Sequence, residues 1–484
     1  MLPIQQVVAK IGLNWDDVEP YGTDKVKVPL SLFPDTKKQR GKLVVVTAIT
    51  PTPAGEGKTT TTLGLTDGLN LIGKDAVAVI RQPSLGPLFG RKGGGTGGGA
   101  ATAEPATDIN LHFTGDFHAI QSAHNFLAAM TENSVKNQEI ENFHPEGISW
   151  RRVTDAEDRS LRNIIVGIGK TADGPTRQTG YDISAASEIM AIVALAQDYK
   201  DLRQRLESIV VGWTTTNTPV TARDVSAVGS MMVLLKDALK PNLVQTQEGN
   251  PVICHAGPFG NIAHGCSSIV ADRLALQTSE IAVTEAGFGA DLGFEKFMDI
   301  KVRQGGAEPS AAVLVATIKG LKWHGGIKQK GLTTPNIEAV SAGASNLKYA
   351  VATVRRYGLP VVVAINRFPE DTAEEIKILQ DAAVEAGAAA AVEAKGFAEG
   401  GRGMTDLAAK VVELLETDSA NIRLMYQDSD TIEEKITTLA KELYQANSVN
   451  WGPLTRTTAR RFDKYGWKFP ICVAKTHLSI SADP

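Results

Sequence analysis

Short, wholly apolar runs alternate along the chain with longer stretches of helical periodicity. "LVVVTAI" (Leu43–Ile49), "AVAVI" (Ala76–Ile80), "PVIC" (Pro251–Cys254), "IAVT" (Ile281–Thr284), "AAVLVATI" (Ala311–Ile318) and "PVVVAI" (Pro360–Ile365) are rich in β-branched residues. Their polar positions do not alternate with apolar ones, as suits strands covered on both faces of a mostly parallel sheet with crossover helices. Thr372-x-x-Glu375 forms a capping box ahead of "TAEEIKILQDAAVEAG", and Gly387 closes that helix. Between about Phe126 and Lys240 the pattern changes. There "SEIMAIVALAQDYKDLRQRL" and "ARDVSAVGSMMVLLKDALKP" predict amphipathic helices, the second stopped at Pro241.

"TAITPTPAGEGKTTTT" (Thr47–Thr62) follows directly on the first apolar run. The phosphate-loop pattern G-x-x-x-x-G-K-[ST] joins a strand to a helix through small residues. Backbone N–H groups then turn inward around phosphate oxygens at the helix N-terminus. Gly57, Lys58 and Thr59 meet the second half of the pattern, while Thr52 stands where the first Gly belongs and Gly55 lies inside the loop. The expected ATP contacts are Thr52, Pro53, Ala54, Gly55, Glu56, Gly57, Lys58 and Thr59. Lys58 would reach the β/γ-phosphates, and the Thr59 hydroxyl would sit on Mg²⁺. An acid at the end of a later strand should hold the same ion, and either Asp291 or Glu285 in "VTEAGFGADLG" answers to that description. The long interval between Lys58 and Glu285 exceeds what a nucleotide switch needs and counts against a switch ATPase acting on a protein partner.

The predicted fold is α/β: a P-loop NTPase-like, mostly parallel sheet with a helical insertion and a smaller C-terminal α/β domain. Residues 1–125 would form the first part of the nucleotide-binding core, 126–242 the mainly helical insertion, 243–365 the second part of the core, and 366–484 the C-terminal domain.

Other motifs cluster at predicted strand ends, where open parallel sheets bind ligands. Arg81 in "RQPSLGP" is placed to fork onto a carboxylate or phosphoryl oxygen. "DINLHFTGDFHAI" holds His112 and His118 six apart, without the i, i+4 spacing of metal ligands, and reads as polar lining of an anion or nucleotide pocket. His255 and His264 are open to either substrate contact or structural hydrogen bonding. "KGGGTGGGA" (Lys92–Ala100) is either a linker or an active-site loop. Phe368 and Pro369 in "AINRFPED", with Phe397 in "GFAEGGRG", offer two flat apolar walls for a planar heteroaromatic cosubstrate.

Composition narrows the classes of partner. The net charge is −4 with no Lys/Arg block, so charge points to neither nucleic acid nor an anionic membrane. Cys254, Cys266 and Cys472 are too few and scattered for a disulfide framework or a zinc site, and read as free thiols in a reducing compartment. The N-terminus lacks a signal-peptide apolar region and no apolar run approaches a membrane span, so the expected location is cytoplasmic.

"TAITPTPAGEGKTTTT", "RQPSLGP", "DINLHFTGDFHAI", "DALKPNLVQT", "GPFGNIAHGCSSIVAD", "VTEAGFGADLGFEKFMDIK", "VVVAINRFPEDT" and "PICVAKTHLSIS" stand in the order characteristic of the formate–tetrahydrofolate ligase family. The chain resembles that family over nearly its whole length. The resemblance implies that ATP, formate and tetrahydrofolate give 10-formyltetrahydrofolate, ADP and phosphate through enzyme-bound formyl phosphate. It gives Lys58 and Arg81 catalytic roles, and makes Phe368, Pro369 and Phe397 a sandwich for the pterin, so that the C-terminal domain lies on the folate side. It further implies Mg²⁺ with ATP, a monovalent cation (potassium or ammonium), no prosthetic group and a homo-oligomer, a homotetramer in the family. Phe397 stands where the family usually has Trp, and Gln82 where an acid is frequent. The family continues past "KTHLSISADP" through a Gly-rich segment, so the C-terminal domain is expected to be truncated. The alternative expectation is a catalytically impaired nucleotide- and folate-binding homologue.

Overall fold

A computed structural model describes residues 1–34, 40–53, 55–85, 95–156, 158–417 and 419–480. Ala54 of the expected phosphate loop and residues 92–94 of the Gly-rich tract lie outside the described residues. Among the described residues, twelve strands form one sheet: β1 (Glu19–Tyr21), β2 (Lys25–Lys27), β3 (Lys42–Ala48), β4 (Ala76–Ile80), β5 (Gly97–Gly98), β6 (Ala101–Glu104), β7 (Asn242–Thr246), β8 (Pro251–Cys254), β9 (Ile281–Glu285), β10 (Ala311–Ala316), β11 (Val361–Asn366) and β12 (Ala390–Ala394). Their order is β1-β2-β7-β8-β4-β9-β3-β10-β11-β12, with β6 also pairing β7 and β5 pairing β6. Neighbours from β8 to β12 are all parallel. The strands on the β7 side are antiparallel.

All six apolar runs are strands of the parallel set. Their side chains alternate between two buried faces. Val45, Val77, Val79, Leu314 and Val363 belong to one core, and Val44, Val46, Val283, Val313 and Val362 to the other. The helices Ile269–Thr278 and Ile337–Arg356 supply Leu274 and Leu347 to the first core. Lys58–Leu71 and Thr405–Thr417 supply Leu65, Leu69 and Leu407 to the second. With both faces covered, the loops at the strand ends are what remains accessible, and they carry the site.

A separate apolar core gathers Leu127, Ile189, Leu202, Leu206, Met231 and Leu235. Within 126–242 the structure has helical segments and also three two-stranded ladders, pairing 152–154 with 181–183, 164–166 with 177–179, and 210–213 with 219–221. The stretch predicted as one helix over 187–206 is two, Glu188–Leu195 and Tyr199–Glu207. Asp198 starts the second by accepting from the Asp201 N–H at 2.7 Å, as an N-cap side chain does. The next predicted helix is confined to Val228–Leu235, because Ser226 ahead of it takes a positive φ of 55°.

Candidate functional site

The carboxyl ends of the parallel strands lie along one edge of the sheet. β3 leads through residues 49–57 into the helix Lys58–Leu71. Gly57 caps that helix at φ 78°, and a Cβ there would meet Asn366 Nδ2 at 2.4 Å. Both the backbone conformation and the close approach therefore demand glycine. Asn366, the last residue of β11, donates to the Glu56 carbonyl at 3.1 Å. The buried Glu56 carboxylate accepts from Thr52 N–H at 3.0 Å and from Thr317 Oγ1 at 2.6 Å. Gly55 N–H donates to the Thr52 carbonyl at 2.9 Å, which makes the turn tight. With Thr in place of the first glycine, the loop is thus braced by a carboxylate of its own and by the ends of β10 and β11. Lys58 opens the helix and is half-buried, whereas Pro53 and Gly55 are exposed.

β9 lies between β4 and β3, so its terminal residue is flanked by both loops. Glu285 is buried, accepts from Thr59 Oγ1 at 2.8 Å, and stands 3.9 Å from Arg81 Nε. Arg81 Nη1 also donates to the Pro258 carbonyl at 3.2 Å. Asp291 is engaged differently: its carboxylate forms a buried ion pair with Lys475. Of the two acids expected at the ion, only Glu285 touches Thr59.

The histidines part in the same way. His255 is wholly buried, with Nε2 against the Ala238 carbonyl at 2.8 Å and Nδ1 against Ser268 Oγ at 2.6 Å. Nε2 must therefore carry the proton, and burial pushes the pKa down to about 4, so the ring is a neutral structural element. His264 is also buried, and burial together with the positive charges of Lys301 and Arg81 pushes it down to about 3. Among the described residues its Nε2 has no hydrogen-bond partner. His112 and His118 are both exposed, while Asp108 and Asp116 of that stretch pair with Lys25 at 2.6 Å and Lys27 at 2.7 Å. These two acids serve as ties between segments.

Asn366 of β11 and Ala394 of β12 are register partners, so Phe368 and Phe397 lie just past neighbouring strand ends. Phe368 N–H donates to Asp371 Oδ2 at 2.8 Å. Lys319 Nζ sits 3.8 Å from the Phe368 ring centroid and pairs with Glu370 at 2.5 Å. A cation thus sits over one face of the half-buried ring. Pro369 is exposed, and Phe397 is 61% exposed. Ala100 N–H donates to the Phe397 carbonyl at 2.9 Å, so the described end of the Gly-rich tract, paired as β5 and β6, rests on this aromatic residue. Thr317, Asn366, Lys319 and Lys475 were not singled out from the sequence, and Glu56 was expected as a nucleotide contact but not as the brace of its own loop. Their only sequence signals are their places at strand ends or inside the ordered motifs.

Among the described residues no group of three or more His, Cys, Asp or Glu side chains is arranged to hold a metal ion. Nor is any helix among them long and apolar enough to cross a membrane.

The family model described as formate–tetrahydrofolate ligase matches residues 1–484. Curated relatives carrying that name include a protein from Rhizobium rhizogenes, 50% identical over 100% of this chain and 87% of the relative. One from Rhizobium meliloti is 49% identical over 100% of the chain and 86% of the relative. One from Desulforamulus reducens is 48% identical over 100% and 87%. With its phosphate-loop pattern, strand-end charges and aromatic walls in this order, and with this match from end to end, the chain belongs to the formate–tetrahydrofolate ligase family.

Proposed function

We propose that this chain uses ATP to join formate to N10 of tetrahydrofolate, through formyl phosphate. The observation that carries this reading is the convergence of Thr59, Glu285 and Arg81 from the ends of three adjacent strands. A nucleotide anchor, an acid suited to its metal ion and a cation for a carboxylate substrate thereby share one edge. Residues 52–59 would cradle the phosphates, with Lys58 against the β/γ-phosphates. The hard-oxygen pair of Thr59 and Glu285 fits Mg²⁺ carried in by ATP, which needs few protein ligands. Bound Mg²⁺ would neutralise charge on the transferring phosphoryl group.

Arg81 then orients formate and stabilises the anion that forms. A formate oxygen attacks the γ-phosphorus, the bond to the β-phosphate oxygen breaks, and ADP leaves. The N10 lone pair attacks the formyl carbon. The carbon–oxygen bond to phosphate breaks, phosphate departs with the formate oxygen, and N10 loses its proton. The pterin would stack on the face of Phe368 away from Lys319, with Pro369 and Phe397 completing the wall. Positioning and charge neutralisation suffice for such chemistry, since phosphoryl transfer asks little covalent work of the protein.

The path is tested with ¹⁸O-labelled formate. Formyl phosphate predicts one labelled oxygen in the released phosphate for each folate formylated. Unlabelled phosphate alongside formylated folate would remove the intermediate.

A further inference from the structure

Arg81 stands between two loops, one following β8 and one following β9. The first supplies the Pro258 carbonyl that accepts from its guanidinium. The second begins at Glu285 and passes so close that a Cβ at Gly287 would lie 3.1 Å from Arg81 Nη2. The two loops meet in a bridge between Cys266 and Ala286, Gly287 N–H donates to the Gly265 carbonyl at 3.0 Å, and Ala286 N–H donates to the Val46 carbonyl at 2.9 Å.

A further tie between them comes from residues near the end of the described chain. The Lys475 carbonyl accepts from Asn261 Nδ2 of the first loop at 3.4 Å. The Lys475 ammonium pairs with Asp291, in the helical turn Ala290–Phe294 that ends the second loop, with only 3% of the Asp291 side chain exposed, and donates to the Ser479 carbonyl at 2.8 Å. Two residues on, the His477 ring packs at 4.7 Å, centroid to centroid, on Phe288. Phe288 holds a positive φ of 59°, a costly conformation for a bulky residue, and its ring presses on Gly260 of the first loop. A single lysine therefore joins both walls around Arg81, and the neighbouring histidine backs the strained residue between them.

We propose that Lys475 is a positioning residue of the formate-activating step, holding through Asp291 and Asn261 the loops that aim Arg81. The proposal rests on the ligase reading above and on Arg81 as the formate-binding cation. The strap acts on the Arg81 side, whereas the loop 52–59 is braced separately by Glu56, Thr317 and Asn366. Loosening it therefore weakens formate use while nucleotide binding persists.

The test uses the full chain. Lys475→Met leaves Asp291 buried without its partner, which is destabilising in itself, so the charge-neutral pair Asp291→Asn with Lys475→Met is made beside it. Rates with varied formate, MgADP affinity by calorimetry and thermal melting are compared with wild type. The pair variant is expected to bind MgADP as wild type does, with kcat/KM for formate lower by about tenfold to a hundredfold, the scale of a small misplacement. Lys475→Arg, which keeps the charge, is expected to recover most of the loss. Wild-type kcat/KM for formate in the folded pair variant overturns the proposal, as does a proportional loss of MgADP affinity. Should the pair variant not fold, His477→Ala removes the backing of Phe288 without burying a charge and is judged by the same split. Wild-type protein that makes no formyl-folate would instead overturn the ligase reading.

Discussion

A methyl group at position 57 would meet Asn366 Nδ2 at 2.4 Å, on a backbone that the fold holds at φ 78°. The left-handed conformation alone costs roughly 1–2 kcal/mol in a residue with a Cβ. Gly57→Ala is therefore expected to lower the melting temperature and to abolish MgADP binding measured by calorimetry. Unchanged affinity would show that this loop is not the cradle. Glu285→Gln keeps an oxygen for Thr59 but removes the charge facing Arg81. It is expected to raise the Mg²⁺ concentration for half-maximal rate about tenfold, as loss of one charged oxygen from a sparse magnesium site should. An unaltered Mg²⁺ requirement would move the ion elsewhere. At this scale the sequence was informative where chemistry is local. Gly57, Lys58 and Thr59 are legible because a strand, a loop and a helix start are contiguous. The braces were not legible, because Asn366 reaches Glu56 across 310 positions and Lys475 reaches Asp291 across 184. That Lys475 pairs with Asp291 while Thr59 donates to Glu285 was likewise hidden, because both contacts join distant positions.

The helix Lys58–Leu71 shows how an element can be placed from sequence while its interior is not. Its start follows from the loop, but its residues Thr61–Leu69 are all buried, so no solvent face existed to give a clear period. Asp67 lies within that run. Its Oδ1 accepts from Thr246 Oγ1 at 2.6 Å and from Asn250 Nδ2 at 2.7 Å, while Oδ2 has no hydrogen-bond partner among the described residues. Burial raises its pKa from 3.8 to about 7; the two hydrogen bonds and Lys10 oppose the rise, and nearby Glu248 adds to it. A carboxyl raised in the folded state binds its proton more tightly there than in the unfolded chain. Its contribution to stability is thus present at low pH and is lost as pH rises toward about 7. The slope from this group is at most about 1.4 kcal/mol per pH unit. Asp67→Asn is expected to flatten the dependence between about pH 5 and 7, measured by denaturant unfolding. A parallel slope in both proteins would contradict that assignment. The missed strands have a different cause. β12, "AAVEA", is alanine-rich and mostly half-buried at the sheet edge, so it lacks the β-branched run that marked the interior strands.

Across the molecule, the parallel sheet converts a linear order of motifs into a spatial one. Placing β9 between β4 and β3 puts Glu285 beside both Arg81 and Thr59, although the chain visits these strands in the order β3, β4, β9. Placing β11 beside β12 brings the Phe368 and Phe397 segments to adjacent strand ends. The α/β class was legible because strands covered on both faces are apolar throughout. The strand order was not, since each crossover is compatible with several neighbours and only side-chain packing selects one. The small ladders of 126–242 were hidden by their three- and four-residue strands, too short for periodicity to register. The central claim concerns the joint use of three substrates at this edge. It is tested most directly by incubating the purified chain with MgATP, formate, tetrahydrofolate and potassium, then quenching in acid and reading the methenyl-tetrahydrofolate absorbance, each substrate being omitted in turn. The account predicts a signal that requires ATP, formate and tetrahydrofolate together. Folded protein that binds ATP yet gives no signal, or that hydrolyses ATP indifferently to formate and folate, would contradict it.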